Sequence, residues 1–326
     1  MMKSIQRAGF RESNYNTGEV TLHYAVGPAN GWPLVLIPAQ AMPWESYQRV
    51  LPELSKHFRV FAIDVRGHGK SSWTPGAYTF NNIGQDLKTF LKEVVSEPAI
   101  ISGNSSGGLV AVWLAVYAPE LVRAIVPEDP PLFSAEWPRF RDDCYAYHLF
   151  KLAAETLGTD KKRNLAQFFA RLEIPIEGRK RPTKIPTPLF KIISGLIYIY
   201  ILIFPNRPID LPFLPLETRV MIKGLSMYDP DFSRACVDGS MFTGFDHAAA
   251  LAKIKCPTLL LQANWFRHEK YGLVGAMDDQ DVAKVRSLVK DFHYVQVDTG
   301  HVIHLEEPEI FIKEIIRFSS TLPQVT

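Results

Sequence analysis

Short, largely apolar runs alternate along this chain with stretches whose apolar residues recur every three or four positions. The short runs lie at 33–37, 58–63, 98–101, 123–126, 258–263 and 292–297. A run too short for a helix and apolar on both sides reads as a strand covered on both faces. Residues 19–26 read as an opening strand. Helical spacing appears at 44–54, 80–95, 279–288 and 308–318, and in the stretch that runs to about 118. In the second of these, Ile83, Leu87, Phe90, Leu91 and Val94 share one face. Strands alternating with helices predict an α/β fold, with a mostly parallel sheet and helices on both faces.

The rhythm breaks between about 130 and 245, where aromatic residues and proline accumulate without strand–helix alternation. The chain therefore divides into a first core part (1–130), an inserted, mostly helical cap (131–245) and a second core part (246–326). Within the cap, residues 192–204 form an uncharged run between Lys191 and Arg207. A membrane span needs about 20 apolar residues, so the run reads as a buried cap helix or a subunit contact. Attachment to a membrane surface, helped by Arg179, Lys180, Arg181 and Lys184, is the alternative.

Composition narrows the class without naming a function. The 326 residues are 47% hydrophobic and 21% charged, with a net charge of +2, which points to no nucleic-acid partner. Cys144, Cys236 and Cys256 are odd in number and scattered, as expected of a chain in a reducing, cytoplasmic compartment. Residues 1–10 hold no apolar core of a secretory signal. The cysteines lack metal-ligand spacing, so neither a metal nor a cofactor is expected.

The chemistry concentrates where the run at 98–101 leads into Gly103-Asn104-Ser105-Ser106-Gly107 and then directly into a helical stretch. This is G-x-S-x-G between a strand and a helix. A serine on so sharp a turn needs neighbours without side chains, and the following helix aims N–H groups at the place where an oxyanion would form. A serine nucleophile needs a base, and the base needs an orienting group. His301, after Gly300 at the end of the last strand, is the base candidate over His268 and His293. His304, one helical turn further on, is read as lining or supporting the site.

The run 34–43, the turn Asp64 to Ser71, the Ser105 motif and Gly300-His301 through Pro308-Glu309 together resemble the α/β-hydrolase superfamily, in its order. The resemblance implies an eight-stranded sheet, a cap after the sixth strand and a triad in the order Ser, acid, His. Ser105 argues against the superfamily's dehalogenases and epoxide hydrolases, which use Asp there. His68 in Arg66-Gly67-His68-Gly69 belongs to a structural turn. Lys70-Ser71 is not a phosphate loop, because the preceding glycine spacing is absent.

Two departures sharpen the expectation. The superfamily's usual acid site after the seventh strand, within 264–269, offers no Asp. Glu128 and Asp129, at the end of the sixth strand, offer the other location used by some members, including zearalenone-type lactone hydrolases. Alignment of the strand favours Asp129, with Glu128 as the alternative and Glu269, Asp278 or Asp279 behind them. Strand alternation lets only one of the pair face His301. The second departure is Pro38-Ala39 in place of the usual His-Gly, a proline shared with the zearalenone-type enzymes. The Gln40 and Ser106 N–H groups remain the expected oxyanion donors.

Together these features lead to the expectation of a serine hydrolase acting through an acyl-enzyme on a carboxylic ester or lactone. An aromatic-rich cap suggests a bulky apolar small molecule, with Trp137, Tyr145, Trp265 and His304 as substrate contacts. A C–C bond hydrolase of the meta-cleavage type, whose members share Gly-Asn-Ser, is the enzyme alternative. A non-catalytic hydrolase-like binding protein is the rival from another class. A homo-oligomer is a further option.

Overall fold

A computed structural model describes residues 3–157 and 165–323. Eight strands build one sheet: β1 (Arg11–Asn16), β2 (Thr21–Val26), β3 (Pro33–Ile37), β4 (Arg59–Asp64), β5 (Ala99–Asn104), β6 (Val122–Glu128), β7 (Thr258–Gln262) and β8 (Phe292–Gln296). Their spatial order is β1-β2-β4-β3-β5-β6-β7-β8, with β1 and β2 antiparallel and every pair from β4 to β8 parallel. The chain thus has the expected α/β architecture. One strand went unforeseen in the sequence. β1, Arg-Glu-Ser-Asn-Tyr-Asn, is an edge strand with no fully buried residue, so it carries no apolar signature.

The apolar runs are explained by burial on both sides. On β3, Leu34 and Leu36 point into a core shared with Trp44, Tyr47 and Phe311. Val35 and Ile37 point the opposite way, into a core shared with Ile83, Leu87 and Leu109. The second core is covered by α1 (Phe80–Phe90) and α2 (Ser106–Tyr117). Two expected helices are interrupted. Residues 44–54 become a 3-10 turn (Trp44–Arg49) and a short helix (Leu51–Leu54) around Pro52. The stretch after α1 loosens into a π turn (Leu91–Val95) that stops at Ser96, whose φ is +64°.

Between β6 and β7 the described residues form helices, among them α3 (Tyr145–Thr156), α4 (Leu165–Arg171), α5 (Thr187–Ile203), α6 (Leu216–Ser226) and α7 (Pro230–Asp238). α7 packs on α3, and α5 on α4. After β7, a small hairpin (Phe266–His268 and Gly272–Val274) precedes α8 (Asp279–Leu288), and α9 (Pro308–Thr321) closes the chain's helical layer.

Candidate active site

The C-terminal ends of β3, β5 and β6 and the loop after β8 converge, the place where parallel α/β sheets put their ligands. Ser105 stands between β5 and α2 with φ +55° and ψ −119°, a conformation that side chains rarely adopt. Two glycines make the turn fit. A Cβ on Gly103 would lie 2.1 Å from the Gly107 carbonyl oxygen, and one on Gly107 would lie 2.3 Å from that of Ile37. The Ser105 N–H donates to the Glu128 carbonyl at 2.8 Å, tying the turn to the end of β6.

Asp129 follows directly, also left-handed at φ +42° and almost fully buried. Its Oδ1 accepts the Ala263 N–H at 3.1 Å, and its Oδ2 accepts from His301 Nδ1 at 2.6 Å. Glu128 makes a second, separate pair. Its carboxylate accepts from His304 Nδ1 at 2.8 Å and from the His304 main-chain N–H at 2.9 Å. Both members of that pair are buried, and the His304 ring stacks on Tyr47 with centroids 3.8 Å apart. Adjacent carboxylates thus serve different histidines: Asp129 faces His301, and Glu128 faces away toward His304.

The His301 loop is held from two sides. Glu306 accepts from the Gly300 and Val302 N–H groups at 3.1 and 3.3 Å. Asn104 Nδ2 donates to the His301 carbonyl at 2.9 Å and to the Glu128 carbonyl at 3.3 Å. Burial would lower the pKa of His301, but the hydrogen bond and charge of Asp129, with weaker pulls from Glu128 and Glu306, outweigh it and raise the pKa. His68 shows the contrast. It is buried against Tyr228 and Phe232 without a carboxylate, and burial pushes it down to about 4.

Ser105, Ser106, Gln40 and His301 line one cavity of about 350 Å³. Its walls are mostly apolar, including Phe80, Leu109, Phe140, Phe150, Phe232 and Phe242. Among the described residues no hydrogen bond joins the Ser105 hydroxyl to His301, and neither the Gln40 nor the Ser106 main-chain N–H donates to a protein acceptor. The Gln40 side chain is occupied elsewhere. Its Nε2 donates to the Tyr228 hydroxyl and, at 3.1 Å, to Ser233 Oγ, both from the segment between β6 and β7. Cys144 also lines the cavity, but burial pushes its thiol up to about 12, far from a reactive thiolate.

Of the expected substrate contacts, Tyr145 lines the cavity, while Trp137, Trp265 and His304 do not. Trp137 lies at the surface edge-on to Tyr147, under the Arg141 guanidinium. Trp265 donates from Nε1 to Asp279 at 2.9 Å, and His304 is consumed by Glu128. The remaining acid candidates are engaged too. Asp278 caps α8 and pairs with Arg139, Asp279 holds Trp265, and Glu269 pairs with Lys180 at 3.7 Å. Sequence reasoning missed the knitting role of Asn104, although a buried polar residue at a strand end is itself a signal that a partner must exist. Tyr47 and the Ala263 N–H had no such signal.

Residues 33–308 match the model of the alpha/beta hydrolase fold family. The chain belongs to that family. Over 186 residues, 54% of this chain and 69% of the relative, it is 27% identical to a pimeloyl-(acyl-carrier protein) methyl ester esterase of Pectobacterium carotovorum. A hydrolase from Pseudomonas aeruginosa shares its fold with a TM-score of 0.66 at 21% identity, covering 95% of this chain and 99% of the other. The enol-lactonase of Burkholderia xenovorans does so with a TM-score of 0.59 at 17% identity, over 94% and 100%. Among the described residues no helix of this family member is long and apolar enough to cross a membrane.

Proposed function

We propose that this chain is a serine hydrolase that cleaves a carboxylic ester or lactone of a bulky apolar small molecule. The hydrogen bond from His301 to Asp129, with His301 and Ser105 lining one cavity, is the observation that carries the reading. In this mechanism Ser105 Oγ attacks the carbonyl carbon while its proton passes to His301 Nε2. Nδ1 is committed to Asp129, so Nε2 is the free, basic nitrogen. The tetrahedral oxyanion is held by the Gln40 and Ser106 N–H groups, which have no protein acceptor among the described residues. Collapse expels the alcohol, which takes the proton from His301. Water then gives a proton to His301 and attacks the acyl carbon, and Ser105 recovers its hydrogen.

Asp129 replaces the acid that the superfamily usually carries after the seventh strand, so a binder with an unsupported histidine is the weaker reading. The mostly apolar cavity walls support an apolar acyl or alcohol group. The resemblance to an ester-cleaving enzyme from Pectobacterium carotovorum favours the ester over a C–C bond. The residues 131–245 act in this reading as the cap that supplies half of the residues lining that cavity.

Turnover of aryl esters of increasing acyl length, set against macrocyclic lactones, tests the reading. The expected result is hydrolysis of at least one class by the wild type and none by Ser105→Ala. Inactivity on every ester and lactone, or equal activity of Ser105→Ala, overturns it.

A further inference from the structure

The helix α5 breaks the rule that surface helices follow. Such a helix normally turns an apolar stripe inward and a polar face outward. In α5 both faces are apolar. Ile197 is buried, and Phe190, Ile193, Tyr200 and Ile201 pack against the core. The outer face carries Leu189, Ile192, Ile199 and Leu202, joined by Tyr198 and Ile203, and four of these six are at least 60% exposed (Ile192 60%, Tyr198 64%, Leu202 63%, Ile203 62%). Lys191 is the one charged residue in the 17 residues of the helix.

Charge says what covers this face. Residues 178–209 hold six Lys or Arg (Arg179, Lys180, Arg181, Lys184, Lys191 and Arg207) and no Asp or Glu. The whole chain is +2, so this stretch is six positive and everything else is four negative. Arg179, Lys180, Arg181 and Lys184 all stand exposed just before the helix, and Arg207 just after it; Lys180 and Lys184 also meet Glu269 and Glu173, at 3.7 and 3.5 Å. A second copy docking through the same face would set one basic stretch against another, which disfavours association. An anionic lipid surface accepts both features, taking apolar side chains into the acyl boundary and cations among the headgroups. The helix is roughly 25 Å long at 1.5 Å per residue, so it lies along the surface instead of crossing it.

We propose that α5 and its flanking cations form a docking surface for an anionic membrane, with the helix axis parallel to the bilayer. The surface is separate from Ser105 and His301, and docking does not require turnover.

Flotation of the full chain with phosphatidylcholine vesicles, with and without 30% phosphatidylserine, tests the proposal. Expected is at least tenfold stronger partition onto the anionic vesicles, with most of it lost between low and high salt. Ile192→Ser/Ile199→Ser/Leu202→Ser, all at exposed positions, should lower partition at least tenfold while leaving thermal unfolding unchanged. Lys180→Gln/Arg181→Gln/Lys184→Gln keeps the apolar face and should lower partition tenfold on its own. No partition onto anionic vesicles, or partition that neither variant weakens, overturns the proposal. A dimer in solution that the triple serine variant dissociates, without vesicle binding, assigns the face to a second copy and also overturns it.

Discussion

Replacing Asp129 by Asn changes one oxygen to an amino group, and the surroundings dictate which way the amide turns. The Ala263 N–H lies 3.1 Å from Oδ1 and can only donate, so the amide oxygen of the new side chain must face it. The amino group then faces His301 Nδ1, 2.6 Å from the present Oδ2, and it too can only donate. Nδ1 is forced to accept, the ring proton moves to Nε2, and the nitrogen that should take the Ser105 proton no longer can. Loss of the carboxylate also removes the charge that stabilises the imidazolium. In serine triads this exchange lowers kcat by roughly 10⁴, about 5 kcal/mol of barrier. Initial rates on an activated aryl ester at neutral pH measure it, with circular dichroism to confirm the fold. Turnover of Asp129→Asn within tenfold of the wild type refutes the tautomer argument and the assignment of Asp129 as the acid.

Three further outcomes follow from neighbouring geometry. Glu128→Ala leaves two buried N–H donors of His304 without an acceptor and should cost roughly 2–5 kcal/mol in urea unfolding, whereas Glu128→Gln, which keeps an acceptor, should recover part of it. Gly107→Ala puts a methyl 2.3 Å from the Ile37 carbonyl and should destabilise by about 1–3 kcal/mol or more, read as a lower Tm. The pKa of His301 is raised above 6.5 in the folded chain, so the protonated ring paired with Asp129 stabilises fully below about 6.5, and that contribution fades as pH rises through the raised value. Because the base must be neutral, kcat/KM should climb across that same window, and in Asp129→Ala the climb should shift to lower pH.

Much of the fold was legible because burial on both faces writes itself into β3, β5, β6 and β7 as mostly apolar runs. The Ser105 turn was legible for a steric reason, since only glycine fits at 103 and 107. The pairing of Glu128 and Asp129 with different histidines was only half legible. Strand alternation separates the two carboxylates, but nothing in the chain says that His304 is buried under Tyr47 and not in the cavity. Neither Trp137 nor Trp265 lines the cavity, and an aromatic residue outside the regular strand–helix rhythm has no pattern that distinguishes a cavity wall from an outer surface. The anchoring of Gln40 by Tyr228 and Ser233 joins residues about 190 positions apart and leaves no local trace. The apolar run of α5 was visible at once, but its exposure depends on tertiary packing.

The central claim is that Ser105 forms a covalent acyl-enzyme with the help of His301 and Asp129, and labelling by a fluorophosphonate tests it most directly. Peptide mass spectrometry should find a single adduct on Ser105 in the wild type, none in Ser105→Ala, and labelling slowed by orders of magnitude in His301→Ala and Asp129→Asn. An unlabelled Ser105 in folded wild-type protein, or equal labelling rates in all but the Ser105→Ala variant, would contradict the account.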